Sequence, residues 1–581
     1  MHAVRVGLVL IAVCFSLTIA GAVDAAPSPG ADGIVSCPVA PPVPAALPTA
    51  IVPAPAPSAS APLESAVAAP ALAKHATPLS INQPTMQLNA GMCARLFVSG
   101  GSPPYSASSS ANAVGVVLES GGVSLFFTGL RNGSDTVIIA DAIGSKIALP
   151  VLVAPDGGVL PASITLPIVG RAPPSPAFEA QALATQLAAA AQLQAGARIA
   201  PIDPQTLPAS LDATNSWSGP LPITIAGPNR WRDVRGSVSV KIQLVDEIPL
   251  EPAQLFFSDD PEKVGATQTG VLFRQTLTPA AAIRVFTYSE LQAPGQRIYL
   301  LLQSKGTSHI QILGDTAGPG FYDDVGHKAT LRYLRARQVQ QSFIASASSP
   351  NPIVLTVGGQ ATDAPRVVSA IYDLRLIDGD PTDVVIVACS DADDARAFAN
   401  NDVPATFEDA HFRFGVYPLD AEPPLWLSMS AGTAFDTPPG GTVASVGSWA
   451  IPPIVGKRFL IGDYGIVRPL RLTLTNVGPA TATIYLYEIP SEAGVTTTVF
   501  FDDSAVPVEL PCLLSPKTAA TRYLIRSFSV PPSSAPLVVT GEFMTDGGSS
   551  YPIALGLTLT PPLNPPAKSI CLQAPPKPAT P

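Results

Sequence analysis

Proline is the residue that most restricts how this chain can fold. The 581 residues include 65 prolines, spread over most of the sequence. A proline inside a helix removes a backbone hydrogen bond and clashes with the preceding turn, whereas turns, linkers and edge strands accommodate it. The chain is therefore expected to be mainly β, with several β-sandwich modules joined by Pro- and Ala-rich linkers and one Ala-rich connector helix.

The first 25 residues have the pattern of a secretory signal peptide. Arg5 supplies a positive charge, residues 6–22 carry none, and Ala25 places a small residue at the exit. We expect cleavage after Ala25 or, alternatively, after Ala22. An uncleaved membrane anchor is a further alternative, although the apolar run is near the lower length limit of a span. The protein is thus expected to be secreted, periplasmic or at the cell surface.

Composition divides the chain into folded segments and connecting segments. Ala, Pro and Ser dominate the region after the signal, which lacks the large apolar residues that offset the entropy of ordering. Later regions show short strands with regular turn signals, as in β-sandwiches. The predicted segments are a signal peptide (1–25), a disordered linker (26–78), an immunoglobulin-like sandwich (79–154), a connector (155–215) with a helix (177–195), two further sandwich domains (216–400 and 401–560) and a Pro-rich tail (561–581).

Short runs in this sequence carry two resemblances. Gly100-Gly101-Ser102-Pro103-Pro104-Tyr105, Phe127-Thr128-Gly129-Leu130 and Asp141-Ala142-Ile143-Gly144 make the segment 79–154 resemble a bacterial immunoglobulin-like (Big-type) domain. The resemblance implies a spacer or adhesive module of an exported protein and no active site. The remainder resembles exported bacterial β-rich proteins without an assigned activity, through Gly270-Val271-Leu272-Phe273-Arg274 and Gly462-Asp463-Tyr464-Gly465-Ile466.

Charge and hydropathy limit the partners that this chain can have. The formal net charge is −10, which disfavours nucleic acid because its phosphates are neutralised by basic patches. No apolar run of span length follows the signal, so no transmembrane segment is expected after signal removal. The expected partner is an unknown protein or glycan of the cell envelope.

No stretch of the sequence has the spacing of a catalytic motif. His309, His327 and His411 lack a two-histidine metal spacing, and neither a Gly-x-Ser-x-Gly elbow nor a phosphate loop occurs. The acidic runs at 378–383 and 391–394 offer oxygen ligands of the kind calcium prefers, but they lack the full loop pattern and are expected to be solvated turns. We therefore expect no catalytic residues, no cofactor and no metal.

Arg230-Trp231-Arg232 is the candidate ligand contact, because an exposed Trp beside guanidinium groups could stack on a sugar or an aromatic partner. The alternative is a core Trp at a strand edge with solvated arginines. The leading hypothesis is a non-enzymatic secreted or cell-surface protein with a structural or adhesive role. A module that binds a glycan or another envelope ligand is the second hypothesis, and a hydrolase without a local signature is the third.

Five cysteines remain once the signal and Cys14 are removed. Disulfides persist in the oxidising compartments that exported proteins reach, and an odd number leaves one thiol unpaired. Cys389 is the expected free thiol, because the apolar residues before it predict a buried strand. The other four allow three connectivities, of which we expect the pairs closest in sequence, Cys37–Cys93 and Cys512–Cys571.

Overall fold

The chain forms two compact units, Met1–Ala154 and Pro155–Pro581. The computed structural model describes residues 34–36 and 77–571, except for short gaps at 120–121, 171–173, 209–210, 212–214, 229, 247, 260–261, 280, 350, 360–365, 403, 405–413, 433–442 and 516–519. The predicted signal peptide, Cys37, most of the linker, and the tail after residue 571 lie outside the described residues. The prediction of a mainly β chain with several sandwich modules is confirmed.

The first unit is a sandwich of two sheets. One sheet has the order β1-β4-β7-β6, with β2 paired to β4, and the other has the order β3-β9-β8-β5. Because side chains alternate along a strand, one side of each sheet, including Leu96, Phe127 and Val137, fills a shared core. The strands are β1 (Ile34–Ser36), β2 (Ser80–Ile81), β3 (Met86–Leu88), β4 (Met92–Ser99), β5 (Ser106–Ser109), β6 (Val114–Leu118), β7 (Ser124–Gly129), β8 (Gly133–Ala140) and β9 (Lys146–Val153).

The first half of the second unit is a larger sandwich. Its elements are β10 (Gly158–Val159), β11 (Ser163–Val169), α1 (Pro176–Ala190), β12 (Gln192–Leu193), β13 (Arg198–Ile199), a short 3₁₀ helix (Pro204–Thr206), β14 (Ser216–Ala226), β15 (Val234–Val245), β16 (Gln254–Ser258), β17 (Lys263–Val264), β18 (Gly270–Leu277), β19 (Ala282–Leu291), β20 (Arg297–Ser304), β21 (Thr307–Gly320), α2 (Tyr322–Val339), β22 (Ser342–Ser348), β23 (Ile353–Gly359), β24 (Arg366–Gly379), β25 (Thr382–Cys389), α3 (Ala392–Asn401) and β26 (Phe414–Pro418).

Two sheets of this larger sandwich face each other. The main sheet has the order β13-β14-β15-β11-β22-β21-β24-β19-β16-β26, with β17 paired to β19, and the facing sheet has the order β18-β25-β20-β23. Val285 and Leu374 of the main sheet share a core with Leu300 and Ile386 of the facing sheet. Helix α1 packs into the same core through Leu183.

The second half of this unit is the C-terminal sandwich. Its sheets have the orders β27-β31-β36-β33-β34 and β28-β37-β32-β35, and β29 pairs with β30 in a small hairpin. Leu472, Leu486 and Phe543 lie in its core. The strands are β27 (Leu425–Ala431), β28 (Val443–Val446), β29 (Ala450–Ile451), β30 (Leu460–Ile461), β31 (Val467–Asn476), β32 (Ala482–Ile489), β33 (Val495–Phe501), β34 (Val508–Leu513), β35 (Tyr523–Val530), β36 (Ser533–Thr545) and β37 (Ile553–Thr558).

Helix α2 lies between the main sheet and the C-terminal sandwich. Its residues Tyr333 and Leu334 are buried in one apolar cluster with Phe257 of the main sheet and Met544 of β36. A Cβ atom at Gly326 would overlap the carbonyl group of Gly547. Glycine at position 326 therefore allows the helix to approach the C-terminal sandwich closely, although glycine weakens a helix interior.

Several boundaries differ from those expected from sequence. Helix α1 begins as predicted, with Ser175 accepting a bond from the amide of Phe178, but it ends at Ala190 because the chain turns into β12. The main sheet continues past residue 400, since β26 pairs with β16, and the C-terminal sandwich begins at β27. The acidic run after Ser390 is the start of α3, where Asp391 accepts bonds from two helix amides.

Candidate functional site

The predicted contact Arg230-Trp231-Arg232 is engaged with its own unit. The half-buried Trp231 donates its indole N–H to the carbonyl of Ala195 at 2.6 Å, and Arg230 donates to the same oxygen at 3.2 Å. Arg232 forms an ion pair of 2.7 Å with Asp156. These contacts hold the loop that carries Trp231 against Ala195 and Asp156.

The cysteines follow the predicted pattern where the structure describes them. Cys512 and Cys571 form a disulfide, and Cys389 is a free, buried thiol. Cys93 is disulfide-bonded. Because Cys37 lies outside the described residues, the pairing of Cys37 with Cys93 stays a prediction.

The acidic runs considered for calcium are used in ion pairs and caps. Asp378 pairs with His309 at 2.6 Å, and Asp383 pairs with Arg274 at 2.9 Å. Asp391 caps helix α3. Within the described part of the chain, no group of three or more His, Cys, Asp or Glu side chains converges as a metal site.

An exposed aromatic side chain stands on the outer face of the C-terminal sandwich. Strand β27 has the sequence Leu-Trp-Leu-Ser-Met-Ser-Ala, in which Leu425, Leu427 and Met429 are buried in the core. Alternation places Trp426 and Ser428 on the opposite face, and Trp426 is 69% exposed. Among the described strands β27 pairs only with β31, so Trp426 lies at an edge of its sheet.

Trp426 begins a row of four side chains that crosses the sheet. In the strand register, Trp426 lies beside Arg471 of β31, and Arg471 lies beside Thr540 of β36. The Thr540 hydroxyl donates to the carboxylate of Asp502, whose amide donates to the Thr540 carbonyl at 3.0 Å. All four residues are exposed. With about 4.8 Å between neighbouring strands, this sheet-face row is about 14 Å long.

Arg471 supplies a cation at the centre of the row. The structure gives Arg471 no ion pair within the part of the chain that it describes. The register places Thr473 beside Ser428 on the same face. The face therefore combines one aromatic surface with a cation, hydroxyl groups and one carboxylate.

A cleft of about 350 Å³ adjoins the Asp502 end of the row. Its wall includes Asp502 and Glu542 from the C-terminal sandwich, Arg337 and Gln338 from α2, and Gln311 from the main sheet. Its size lies at the lower end of the range for small-ligand sites. The row and the cleft thus share Asp502 and form one continuous surface.

A buried polar network fixes the wall of this cleft. Asp373 of β24 accepts bonds from Arg284 at 2.8 Å and from the Tyr333 hydroxyl at 2.7 Å. Burial raises the pKa of Tyr333 well above its usual range, so the hydroxyl stays protonated and donates. Arg337 reaches Asp373 at 3.5 Å and Glu542 at 3.0 Å. The network therefore ties the main sheet, α2 and the C-terminal sandwich together.

A histidine makes a second connection between α2 and the C-terminal sandwich. The ring nitrogens of His327 lie 2.7 Å from Asp546 and 3.3 Å from Glu509. Burial alone would lower the pKa of His327, but the two carboxylates raise it to about 9. His327 is therefore a charged contact rather than a proton-transfer base at neutral pH.

We expect the stability of the second unit to fall as the pH rises from 6.5 to 9. The pKa of His327 is raised from 6.5 to about 9. The charged side chain therefore contributes fully to the free energy of unfolding below pH 6.5. About 2 to 3 kcal/mol of this contribution is lost as the pH approaches 9. Burial also raises the pKa of Glu488 to about 8. Stability therefore also falls as the pH rises towards 8, because the buried carboxyl group must then ionise. Urea unfolding over a pH series measures the slope.

His327→Gln should flatten this slope between pH 6.5 and 9, whereas His309→Gln should keep it, because His309 lies at the surface with half of its side chain exposed. Equal slopes for the wild-type protein and His327→Gln would contradict this assignment.

Comparisons with known proteins give no family. No protein-family model matches the chain, and no curated protein matches it. SGBP-B of the mixed-linkage glucan utilization locus of Bacteroides ovatus, solved with a mixed-linkage heptasaccharide, aligns at 11% identity over 53% of this chain and 75% of that chain, with a TM-score of 0.12.

Two other solved structures are equally distant. Surface layer protein SbsC, domains 4–9, aligns at 9% identity over 84% of this chain and 65% of that chain, with a TM-score of 0.14. Lac15 from a marine microbial metagenome aligns at 10% identity over 84% of this chain and 91% of that chain, with a TM-score of 0.10. The functional argument therefore rests on this chain's own residues.

None of the described helices has both the length and the apolar composition needed to cross a bilayer.

Proposed function

We propose that this protein is an exported, non-enzymatic β-sandwich protein of the cell envelope or cell surface that adheres to carbohydrate through the sheet-face row. The observation that carries the proposal is the 69% exposed Trp426 aligned with Arg471, Thr540 and Asp502 on one sheet face. The signal-peptide pattern of the first 25 residues supports export.

The chemistry of the row suits a sugar ring. An indole face offers a large apolar surface with a low entropic cost on binding, and it packs against the C–H face of a pyranose. Arg471, Thr540 and Asp502 supply donors and acceptors for hydroxyl groups at the edge of such a ring. A flat row of about 14 Å, three strand spacings, has room for a short oligosaccharide rather than for a single sugar.

Binding is better supported than cleavage. Glycosidic hydrolysis uses two carboxyl groups that flank the scissile bond. The row holds one, Asp502, and Glu542 in the adjoining cleft is paired with Arg337 at 3.0 Å. The sequence also lacks the local motifs of other hydrolases. A hydrolase therefore has less support here than an adhesive module.

The first unit supports an adhesive or spacer architecture. Strands β2-β4-β7-β6 form one sheet, and β9-β8-β5 run in order in the other. This arrangement corresponds to the ABED and GFC sheets of constant-type immunoglobulin domains, which supports the proposed Big-type identity of the unit.

Trp426→Ala is expected to weaken oligosaccharide binding at least tenfold, because a tryptophan that anchors an interface commonly contributes about 2 kcal/mol. A glycan array with the mature full chain identifies the oligosaccharide that binds best, and calorimetric titration then measures the affinity of each variant. Arg471→Ala should also lower the affinity, by a smaller factor.

The matched control is Trp449→Ala, which removes another exposed tryptophan, 63% accessible, outside the row. Its affinity should equal that of the wild-type protein. Unchanged binding by Trp426→Ala, or hydrolysis of the bound oligosaccharide, would contradict the proposed function.

A further inference from the structure

A second exposed apolar surface lies on the hairpin of residues 449–461. Strands β29 and β30 form its base, where Ile451 and Leu460 are buried against the main sheet. The segment also carries five large apolar side chains that are about half exposed or more: Trp449 (63%), Ile454 (52%), Val455 (49%), Phe459 (51%) and Ile461 (52%). So many exposed apolar residues in one short segment indicate an interaction surface.

The backbone holds these side chains outward. Ile461 follows the buried Leu460 on β30 and therefore projects to the opposite side of the hairpin. The tip is bonded to the edge strand β26, since the amide of Val416 donates to Val455 at 2.8 Å and the amide of Ile454 donates to Val416 at 2.6 Å. The hairpin is thus a fixed feature at the edge of the main sheet.

Charge distinguishes the hairpin from the rest of the molecule. Residues 443–462 contain no Asp or Glu, and they include Lys457 and Arg458, whereas the whole chain has a net charge of −10. Lys457 is exposed. Within this segment the apolar side chains are therefore accompanied in sequence by Lys457 and Arg458 and by no acidic residue.

We propose that this hairpin docks the protein on the surface of an anionic lipid bilayer. Tryptophan and other amphipathic aromatic side chains favour the bilayer interface, and adjacent Lys and Arg side chains are attracted to anionic headgroups. A second copy of the chain fits less well, because a symmetric contact would bring two cationic hairpins together. This docking surface is separate from the sheet-face row, so it does not depend on the proposed carbohydrate function.

Vesicle flotation with the mature full chain tests this inference. The wild-type protein should bind vesicles of phosphatidylcholine mixed with phosphatidylglycerol about tenfold more than vesicles of phosphatidylcholine alone, and added salt should weaken the binding. The double variant Trp449→Ser with Phe459→Ser should lose about tenfold in binding. Lys457→Glu with Arg458→Glu should remove the preference for anionic vesicles.

The matched control is Val506→Ser with Leu563→Ser, which removes two apolar side chains of 68% and 61% exposure elsewhere on the same unit. It should bind vesicles like the wild-type protein, and near-ultraviolet circular dichroism confirms that each variant is folded. Equal vesicle binding by the hairpin variants and the wild-type protein would overturn the inference. So would self-association, seen by sedimentation velocity, that disappears in the hairpin variants.

Discussion

Asp373→Ala lowers the free energy of unfolding of the second unit by about 3 to 5 kcal/mol, the loss expected when one partner of a buried ion pair is removed. Asp373 is fully buried and accepts bonds from Arg284 and Tyr333. Without it, the buried guanidinium of Arg284 keeps the carbonyl of Gly465 at 2.9 Å and the ring of Tyr333 at 5.0 Å, but it has no carboxylate partner among the described residues. Guanidinium chloride unfolding at pH 7 measures the loss.

Asp503→Ala is the matched control, because Asp503 makes two bonds of 2.7 Å to Arg526 at the surface. With 55% of the Asp503 side chain exposed, the expected loss is below about 1 kcal/mol. Comparable losses for the two variants would show that the buried network does not hold α2 between the main sheet and the C-terminal sandwich.

Cys571→Ser is the second variant with a large expected effect, a loss of about 4 kcal/mol in the chain-entropy model. The disulfide joins residues 59 apart in sequence. It therefore restricts a long loop in the unfolded chain that contains β35, β36 and β37. Denaturant unfolding with and without a reductant measures the effect.

Adding a reductant distinguishes the effect of losing the disulfide from the effect of changing the Cys571 side chain. Reduction should bring the wild-type midpoint for the second unit close to that of Cys571→Ser and should leave the variant unchanged. A wild-type midpoint that does not respond to reduction would contradict this account of the disulfide.

Local chemistry explains what could be predicted from the sequence. The high proline content indicates strands and turns, Ser175 and Pro176 mark the start of α1, and sequence proximity favours the Cys512–Cys571 pair. Each of these signals depends on residues close together in the chain. The start of α3 is equally local, because Asp391 followed by two acidic residues is typical of a first helical turn. The expectation of a solvated turn there overlooks this capping pattern.

Long-range pairing accounts for the boundary that could not be predicted. β16 and β26 are neighbours in the main sheet although about 160 residues separate Gln254–Ser258 from Phe414–Pro418. A strand pattern in the sequence indicates that a segment is extended, but it does not identify the partner strand. The main sheet therefore extends past residue 400 without a local signal.

Trp231 and Trp426 show that the candidate site was also hard to predict from the sequence. Trp231 lies between two arginines and was the sequence candidate, yet its indole N–H is bonded to Ala195. Trp426 lies between two leucines and has no charged neighbour in sequence that would mark it as a candidate. The period-two pattern of β27 nevertheless places Trp426 on the polar side with Ser428, and this signal could have identified the exposed face.

Fluorine NMR of the mature protein labelled with 5-fluorotryptophan tests the central claim most directly. The chain has four tryptophans, Trp217, Trp231, Trp426 and Trp449, and single substitutions assign their resonances. On titration with the oligosaccharide that binds best, the Trp426 resonance should shift in proportion to saturation while the other three stay in place. A Trp426 resonance that does not move, or a shift at Trp231 instead, would show that the sheet-face row is not the carbohydrate site.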